Sequence, residues 1–258
     1  MKKQLLACAL IAALPLGAHA ADGDGEWKGS GELGFAASRG NSKSENLNAK
    51  LAFSMEDDTW KDNFYLNALR SKGEVTTAEL QNGQLVNVKT YDLTANRYEA
   101  GASLGYKLDE RSYVVGALRY EDDDFSPFDY QAVLSVGYGY MAIKNERTEL
   151  SLEIGPGYKQ YKPRPTPPAT TSESDNEVVG RGLIGFKHQL TETTRFEDTF
   201  LVEAGADNTF MQNDAGLVVS MNKTLALKLG YQVRHNSDVT PGTKKTDQLL
   251  TTNLVYNF

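Results

Sequence analysis

The chain has a single cysteine in 258 residues, at position 8. If the first twenty residues are removed on export, the mature protein has no thiol, which excludes disulfides and cysteine-ligated metal sites. Long apolar runs are also missing. Past residue 20 no stretch approaches the ~18 consecutive apolar residues that a transmembrane helix needs. Excess positive charge is absent too: the formal net charge is −7, and losing Lys2 and Lys3 makes the mature chain more acidic still. That balance argues against nucleic-acid binding. No glycine-rich loop follows a strand and opens a helix, so a nucleotide-cradling site has no support.

What is present begins with a leader. Lys2 and Lys3 precede an apolar segment from Leu5 to Leu16, and Ala18-His19-Ala20 puts small residues where a signal peptidase reads. Cleavage is expected after Ala20, leaving residues 21–258 as one domain. Leu5-Leu6-Ala7-Cys8 resembles a lipoprotein signal, but too few apolar residues separate Lys3 from Cys8 for that reading.

The strongest pattern in the mature chain has a period of two. Tyr130, Ala132, Leu134, Val136, Tyr138 and Tyr140 alternate with Gln131, Ser135, Gly137 and Gly139. Leu150, Leu152, Ile154 and Tyr158 alternate with Glu149, Ser151, Glu153, Gly155 and Gly157. Leu225, Leu227, Leu229, Tyr231 and Val233 alternate with Ala226, Lys228, Gly230, Gln232 and Arg234. Each stretch is about the 9–11 residues of a tilted transmembrane strand plus an overhang, and helical spacing fits none of them. The count predicts an all-β fold, a closed antiparallel transmembrane barrel of twelve strands, with ten or fourteen as alternatives. The strands are expected near 26–38, 43–56, 60–72, 92–107, 112–122, 129–142, 148–161, 177–190, 194–206, 210–222, 224–236 and 246–258. Short turns alternate with longer links at Gly73–Tyr91, Glu121–Phe128, Lys162–Asn176 and Ser237–Lys245, the asymmetry of an outer-membrane barrel with both termini in the periplasm.

The last strand carries Leu250, Leu254, Tyr256 and Phe258 on one face and stops on the aromatic residue. Leu254, Tyr256 and Phe258 resemble the C-terminal signal read by the barrel-assembly machinery. Trp27, Trp60, Tyr106, Tyr140, Phe196 and Tyr256 fall near one set of strand ends. Tyr98, Tyr120, Tyr130, Tyr158 and Tyr231 fall toward the other, as interfacial aromatic belts require. Two residues break the scheme. Asp198 has lipid-facing parity, and Phe210 conflicts with Ala215, Leu217, Val219 and Met221 over which side of its strand faces out.

Trp27-Lys28-Gly29-Ser30-Gly31-Glu32-Leu33-Gly34-Phe35 followed by Gly40-Asn41-Ser42, the acidic segment Arg119-Tyr120-Glu121-Asp122-Asp123-Asp124-Phe125, Val136-Gly137-Tyr138-Gly139-Tyr140 and Glu153-Ile154-Gly155-Pro156-Gly157-Tyr158 resemble the family of salt-induced outer-membrane proteins, a domain of unknown function. The resemblance spans nearly the whole mature chain. It implies an outer-membrane barrel with a role under salt or osmotic stress, and brings no catalytic residues.

The inward parity carries both signs of charge: Arg97, Glu99, Arg119, Glu149, Glu153, Arg181, Arg195, Glu203 and Arg234, with Lys50 and Lys228 among others. These are the candidate lumen-lining residues. They would form either a charged constriction that selects small solutes or ions, or interlocking ion pairs that fill a narrow barrel. A catalytic alternative is a lipid hydrolase using His235 and Ser237, but strand twelve offers only Gln248 near His235 to orient the imidazole. No enzyme activity and no cofactor are expected. His188 lacks a serine or carboxylate of matching parity. Glu121-Asp122-Asp123-Asp124 is expected to be a solvated acidic loop rather than a calcium site, since the spacing of a calcium loop is missing. Pro163 to Pro168 reads as a stiff extended loop. The leading expectation is a small-solute channel or envelope protein of the outer membrane, with a plugged structural or receptor barrel as a further alternative. Its partners would be membrane lipids, lipopolysaccharide and the barrel-assembly machinery.

Overall fold

A computed structural model describes residues 25–39, 43–81, 84–165, 171–239 and 244–258. The segment expected to be a leader, and residues 166–168 of the expected proline-rich loop, lie outside the described residues. Twelve antiparallel strands close into one barrel: β1 (Lys28–Ser38), β2 (Ser44–Glu56), β3 (Trp60–Gln81), β4 (Gln84–Lys107), β5 (Ser112–Asp123), β6 (Phe128–Lys144), β7 (Thr148–Pro163), β8 (Asp175–Gln189), β9 (Thr194–Ala204), β10 (Thr209–Ser220), β11 (Leu225–Asn236) and β12 (Thr246–Asn257). Each strand pairs with its sequence neighbours, and β1 pairs with β12.

The two faces invert the pattern of a water-soluble barrel. Leu33, Leu134, Ile154, Val178, Leu229, Leu250 and Leu254 stand exposed on the outside. Glu99, Arg119, Glu121, Gln131, Lys159, Glu203 and Arg234 are buried on the inside. A closed ladder of this kind satisfies every interior strand without water, which is what hydrocarbon demands of a backbone.

The five turns at the end where β1 begins and β12 finishes are built alike. Asp57 Oδ1 accepts hydrogen bonds from the amides of Thr59 and Trp60, both at 2.6 Å. Asp109 Oδ1 accepts from Arg111 and Ser112, both at 2.8 Å. Asn145, Thr191 and Asn222 cap the amides two and three residues on in the same way. A short polar side chain at the first turn residue thus reverses the chain in place of a longer loop. The two amides that Asp109 receives also hold its carboxyl below the usual carboxylate range.

Two features depart from the expected layout. The Gly73–Tyr91 link is not a loop: β3 and β4 continue as a paired hairpin out to Gln81 and Gln84. Their partners stop earlier, β2 pairing only as far as Gly73 and β5 only as far as Arg97. The hairpin therefore projects past the rim with Leu80 and Leu85 exposed. The second departure is the seam that closes the barrel. Here β1 and β12 register over only Ser30–Leu33 against Asn257–Leu254, whereas β1 pairs with β2 along its whole length. Beyond Leu33 the wall is held by side chains, with Asn48 Nδ2 donating to Asn253 Oδ1 at 2.9 Å.

Candidate functional site: the charged lumen

The strands bring the inward charges together at the end opposite the termini. On β5, Arg119 Nε donates to Glu203 Oε1 of β9 at 3.0 Å, and Arg119 Nη1 donates to Glu121 Oε2 at 3.0 Å. From β11, Arg234 donates through Nη2 to Glu121, through Nη1 to Asp123 at 3.1 Å, and through Nε to Gln212 at 3.0 Å. Gln131 completes the Glu121 carboxylate at 3.0 Å. Gln212 and Gln232 both donate to Asp214, at 2.7 and 2.6 Å, and Gln232 accepts from Arg97 of β4. The result is one unbroken chain of polar contacts from Arg97 to Glu203.

Its position in the ring matters more than its length. In the closed order of twelve strands, β5 and β11 are six steps apart in either direction. The contacts of Arg234 with Glu121 and Asp123 therefore cross the full width of the barrel. Phe210 fills the space between the two arginines, its ring centroid 4.6 Å from the Arg119 guanidinium and 5.0 Å from that of Arg234. Beside them Lys159 donates to Glu177 at 3.2 Å and lies over the rings of Phe128 and Tyr161. Glu203, Phe210 and Lys159 are each 1% exposed. At this level side chains from opposite walls of the barrel meet.

Below the bridge, toward the termini, lie two adjoining cavities of about 160 and 130 Å³. Both are lined by Glu32, Lys50 and Lys228. Lys228 reaches Glu32 at 3.0 Å and Glu197 at 2.7 Å, and Arg195 reaches Glu197 at 3.3 Å. Elsewhere at this end Arg181 pairs with Glu153 at 2.9 Å, and the Tyr113 hydroxyl donates to the same carboxylate at 2.9 Å. Glu149 meets Lys187 at 3.7 Å near the mouth, where both are exposed. Glu99, the last of the candidate lumen residues, accepts from the Tyr65 hydroxyl at 2.7 Å.

Several expectations change. Glu121 and Asp123 are not part of a solvated loop: β5 extends to Asp123, and alternation turns both inward onto Arg234 while Asp124 bonds Asn96. Among the described residues no group of three or more His, Asp or Glu is arranged to hold a metal. Phe210 does face the lumen, so its parity conflict disappears: the even positions of β10 point inward and Ala215, Leu217 and Val219 point out. Asp198 keeps its outward parity with no shift of register, and is instead matched by Asn213, whose Nδ2 lies 3.0 and 3.2 Å from its two oxygens. His235 stands opposite Thr246, not Gln248, and shares a 2.8–2.9 Å class of contact with a threonine hydroxyl, here at 2.9 Å. Ser237 accepts from the Thr209 amide at 2.8 Å and donates to Asn208 at 3.3 Å. The two side chains thus serve different neighbours. His188 bonds the Thr148 hydroxyl at 2.8 Å.

Parity pointed to the charges, Lys159 among them, but gave no role to Phe210, Gln131, Gln212 or Gln232, which complete the bridge. The signal for the glutamines was the same inward alternation. For Phe210 it was the conflict with its own strand.

A family model described as "Protein of unknown function, DUF481" matches residues 31–258. The chain is 25% identical over 233 residues to an Escherichia coli K12 protein described as "Uncharacterized protein YdiY", covering 90% of this chain and 83% of that one. Among solved structures it is similar to a NanC porin, at 12% identity and a TM-score of 0.48, covering 90% of this chain and 98% of the porin. It is also similar to an outer-membrane channel of Pseudomonas putida F1, at 12% identity and a TM-score of 0.48, covering 95% and 98%.

Proposed function

The chain belongs to the DUF481 family, and from that premise we propose that it is an exported outer-membrane barrel serving as a narrow pathway for small solutes, closed at its outer end by a bridge of charges. Short turns and both chain ends mark the periplasmic side, and the long β3–β4 hairpin the external side. Lipids and lipopolysaccharide surround the apolar wall, and Leu254, Tyr256 and Phe258 address the strand to the assembly machinery. The resemblance to salt-induced proteins adds a role under salt or osmotic stress, which growth of a deletion strain in high salt would test. No catalytic role is assigned to His235 or Ser237.

One observation carries the reading: the wall-to-wall contact of Arg234 with Glu121 and Asp123 caps a cavity lined by Arg97, Asp214 and Gln232 of the same polar chain. A barrel filled only for strength has a cheaper solution, because buried ion pairs are often matched or bettered by apolar residues of similar volume. Charges that close a lumen by pairing can reopen it by parting. Planar-bilayer recording on the refolded protein is the test. Rare, small steps are expected from the unaltered protein and larger, more frequent ones from Arg234→Ala. Silence from both, with insertion demonstrated, would remove the channel reading. The structural barrel would then stand, supported by the near-complete burial of Glu203, Phe210 and Lys159.

A further inference from the structure

The cavity beneath the bridge contains an ammonium with no counter-ion of its own. Lys50 lies directly across the strand pair from Glu32, yet Glu32 is taken. Its Oε1 accepts from Lys228 at 3.0 Å and its Oε2 from Asn253 at 3.1 Å. Glu197, which lines the first cavity together with Lys50, is already held by Lys228 and Arg195. Among the described residues no hydrogen bond or ion pair reaches the Lys50 ammonium. On its other side, Lys50 faces Asn67 of β3 in register. Both line the second of the two cavities, and the Asn67 amide oxygen is buried without a hydrogen-bond partner.

These are two different deficits in one place: a cation that lacks an anion, and a buried acceptor that lacks a donor. Each is costly when left unmet, the first because a charge in a low-dielectric lumen seeks its opposite, the second because an unpaired buried oxygen forfeits the hydration it had in the unfolded chain. The wider lining agrees. The two cavities together hold Lys50, Arg97, Arg195 and Lys228 against Glu32, Glu197 and Asp214, so the vestibule is net positive inside a chain whose formal charge is −7. Walls of low dielectric focus such a field and raise the local concentration of anions.

We infer that the vestibule binds a small oxyanion that also carries an O–H group, of the hydrogen-phosphate type, with Lys50 taking the charge and the Asn67 oxygen accepting the hydroxyl. The inference rests on the solute-pathway reading for access from the periplasm, and names the class of solute that the pathway receives. It does not require the bridge to open, because the site lies on the terminal side of the seal.

Equilibrium dialysis of the refolded, full-length protein in detergent against labelled inorganic phosphate and, separately, labelled sulfate tests it without any need for conductance. Sulfate matches phosphate in shape but has no hydroxyl at neutral pH. Saturable phosphate binding is expected, with sulfate weaker. Lys50→Met should weaken phosphate by roughly tenfold or more, the worth of a charge-assisted hydrogen bond, while Lys50→Arg stays within a few-fold. Binding that never saturates, sulfate equal to phosphate on the unaltered protein, or an unchanged Lys50→Met would each overturn the assignment. The sulfate comparison needs no variant to fold. A protein that binds phosphate but is silent in bilayers would keep the site and lose the channel. Conductance without saturable phosphate binding would do the reverse.

Discussion

Arg234 and Glu121 meet across the whole diameter of the barrel, from β11 to β5. Glu121 at the same time takes Arg119 and Gln131, so it is the hub on which two guanidinium groups depend. Glu121→Ala leaves both of them buried beside fewer carboxylates, and should destabilise the refolded protein by about 3–5 kcal/mol. Urea unfolding in lipid vesicles would measure this. A double-mutant cycle with Arg234→Ala should return a coupling of roughly 0.5–3 kcal/mol. Strict additivity would mean that the two residues do not act as a cross-lumen pair.

Phe210 lies between the two arginines at the level of the bridge. Removing its ring leaves a void between two cations, with a cost of about 3–5 kcal/mol for Phe→Ala in a packed site. The functional consequence should have the opposite sign. In bilayers Phe210→Ala is expected to conduct more than the unaltered protein, and Phe210→Leu to fall between them. If Phe210→Ala conducts no more than the original, the ring is not part of the seal.

How much of this could be read in the sequence follows from what surrounds each residue. The strands were legible wherever hydrocarbon forces every second side chain to be apolar, and ten of the twelve expected spans begin and end near the observed ones on that ground. The extension of β3 and β4 was not, because past the rim no lipid imposes alternation on Gly73, Thr76, Thr77 or Asn87. Phe210 read as an error because an inward aromatic cannot be told from a slipped register until the neighbouring strand is known. The pairing of Arg234 with Glu121 needs the strand count, the closure and the height of each residue along its strand. Parity supplies none of these.

The seam between β1 and β12 should be the first part of the wall to fail. Gly34 leaves room for the amide bridge that continues it: an added Cβ would lie 2.0 Å from Asn48 Oδ1 and 2.2 Å from Asn253 Oδ1. Gly34→Val must therefore break the 2.9 Å bond between those two side chains where no strand pairing remains to replace it. Gly31 sits in the same strand with nothing within 4 Å of an added Cβ, which makes Gly31→Val the matched control. Heating in SDS and reading the shift from compact to unfolded band on a gel should show Gly34→Val converting at lower temperature, with Gly31→Val close to the original. Equal conversion temperatures for the two variants would mean that the asparagine bridge does not hold the seam.

Asp198 and Asn213 form a polar pair on the outer wall, flanked by Phe186, Phe196 and Phe200 on the neighbouring outward positions. Each satisfies the other, so the effect of substitution should depend on whether one or both are changed. Asn213→Leu strands a carboxyl against hydrocarbon and is expected to cost about 1–3 kcal/mol, the penalty for an unpaired buried polar group. Asp198→Leu strands an amide and should cost less, since no charge is left behind. Changing both to leucine removes every polar atom from the patch and adds apolar surface to the wall. The double variant should therefore recover most of the loss or exceed the original stability, even though each single change weakens the protein. Urea unfolding in vesicles of fixed lipid composition distinguishes the cases, because a double variant that loses the sum of the two single effects would place this pair in water rather than in the membrane.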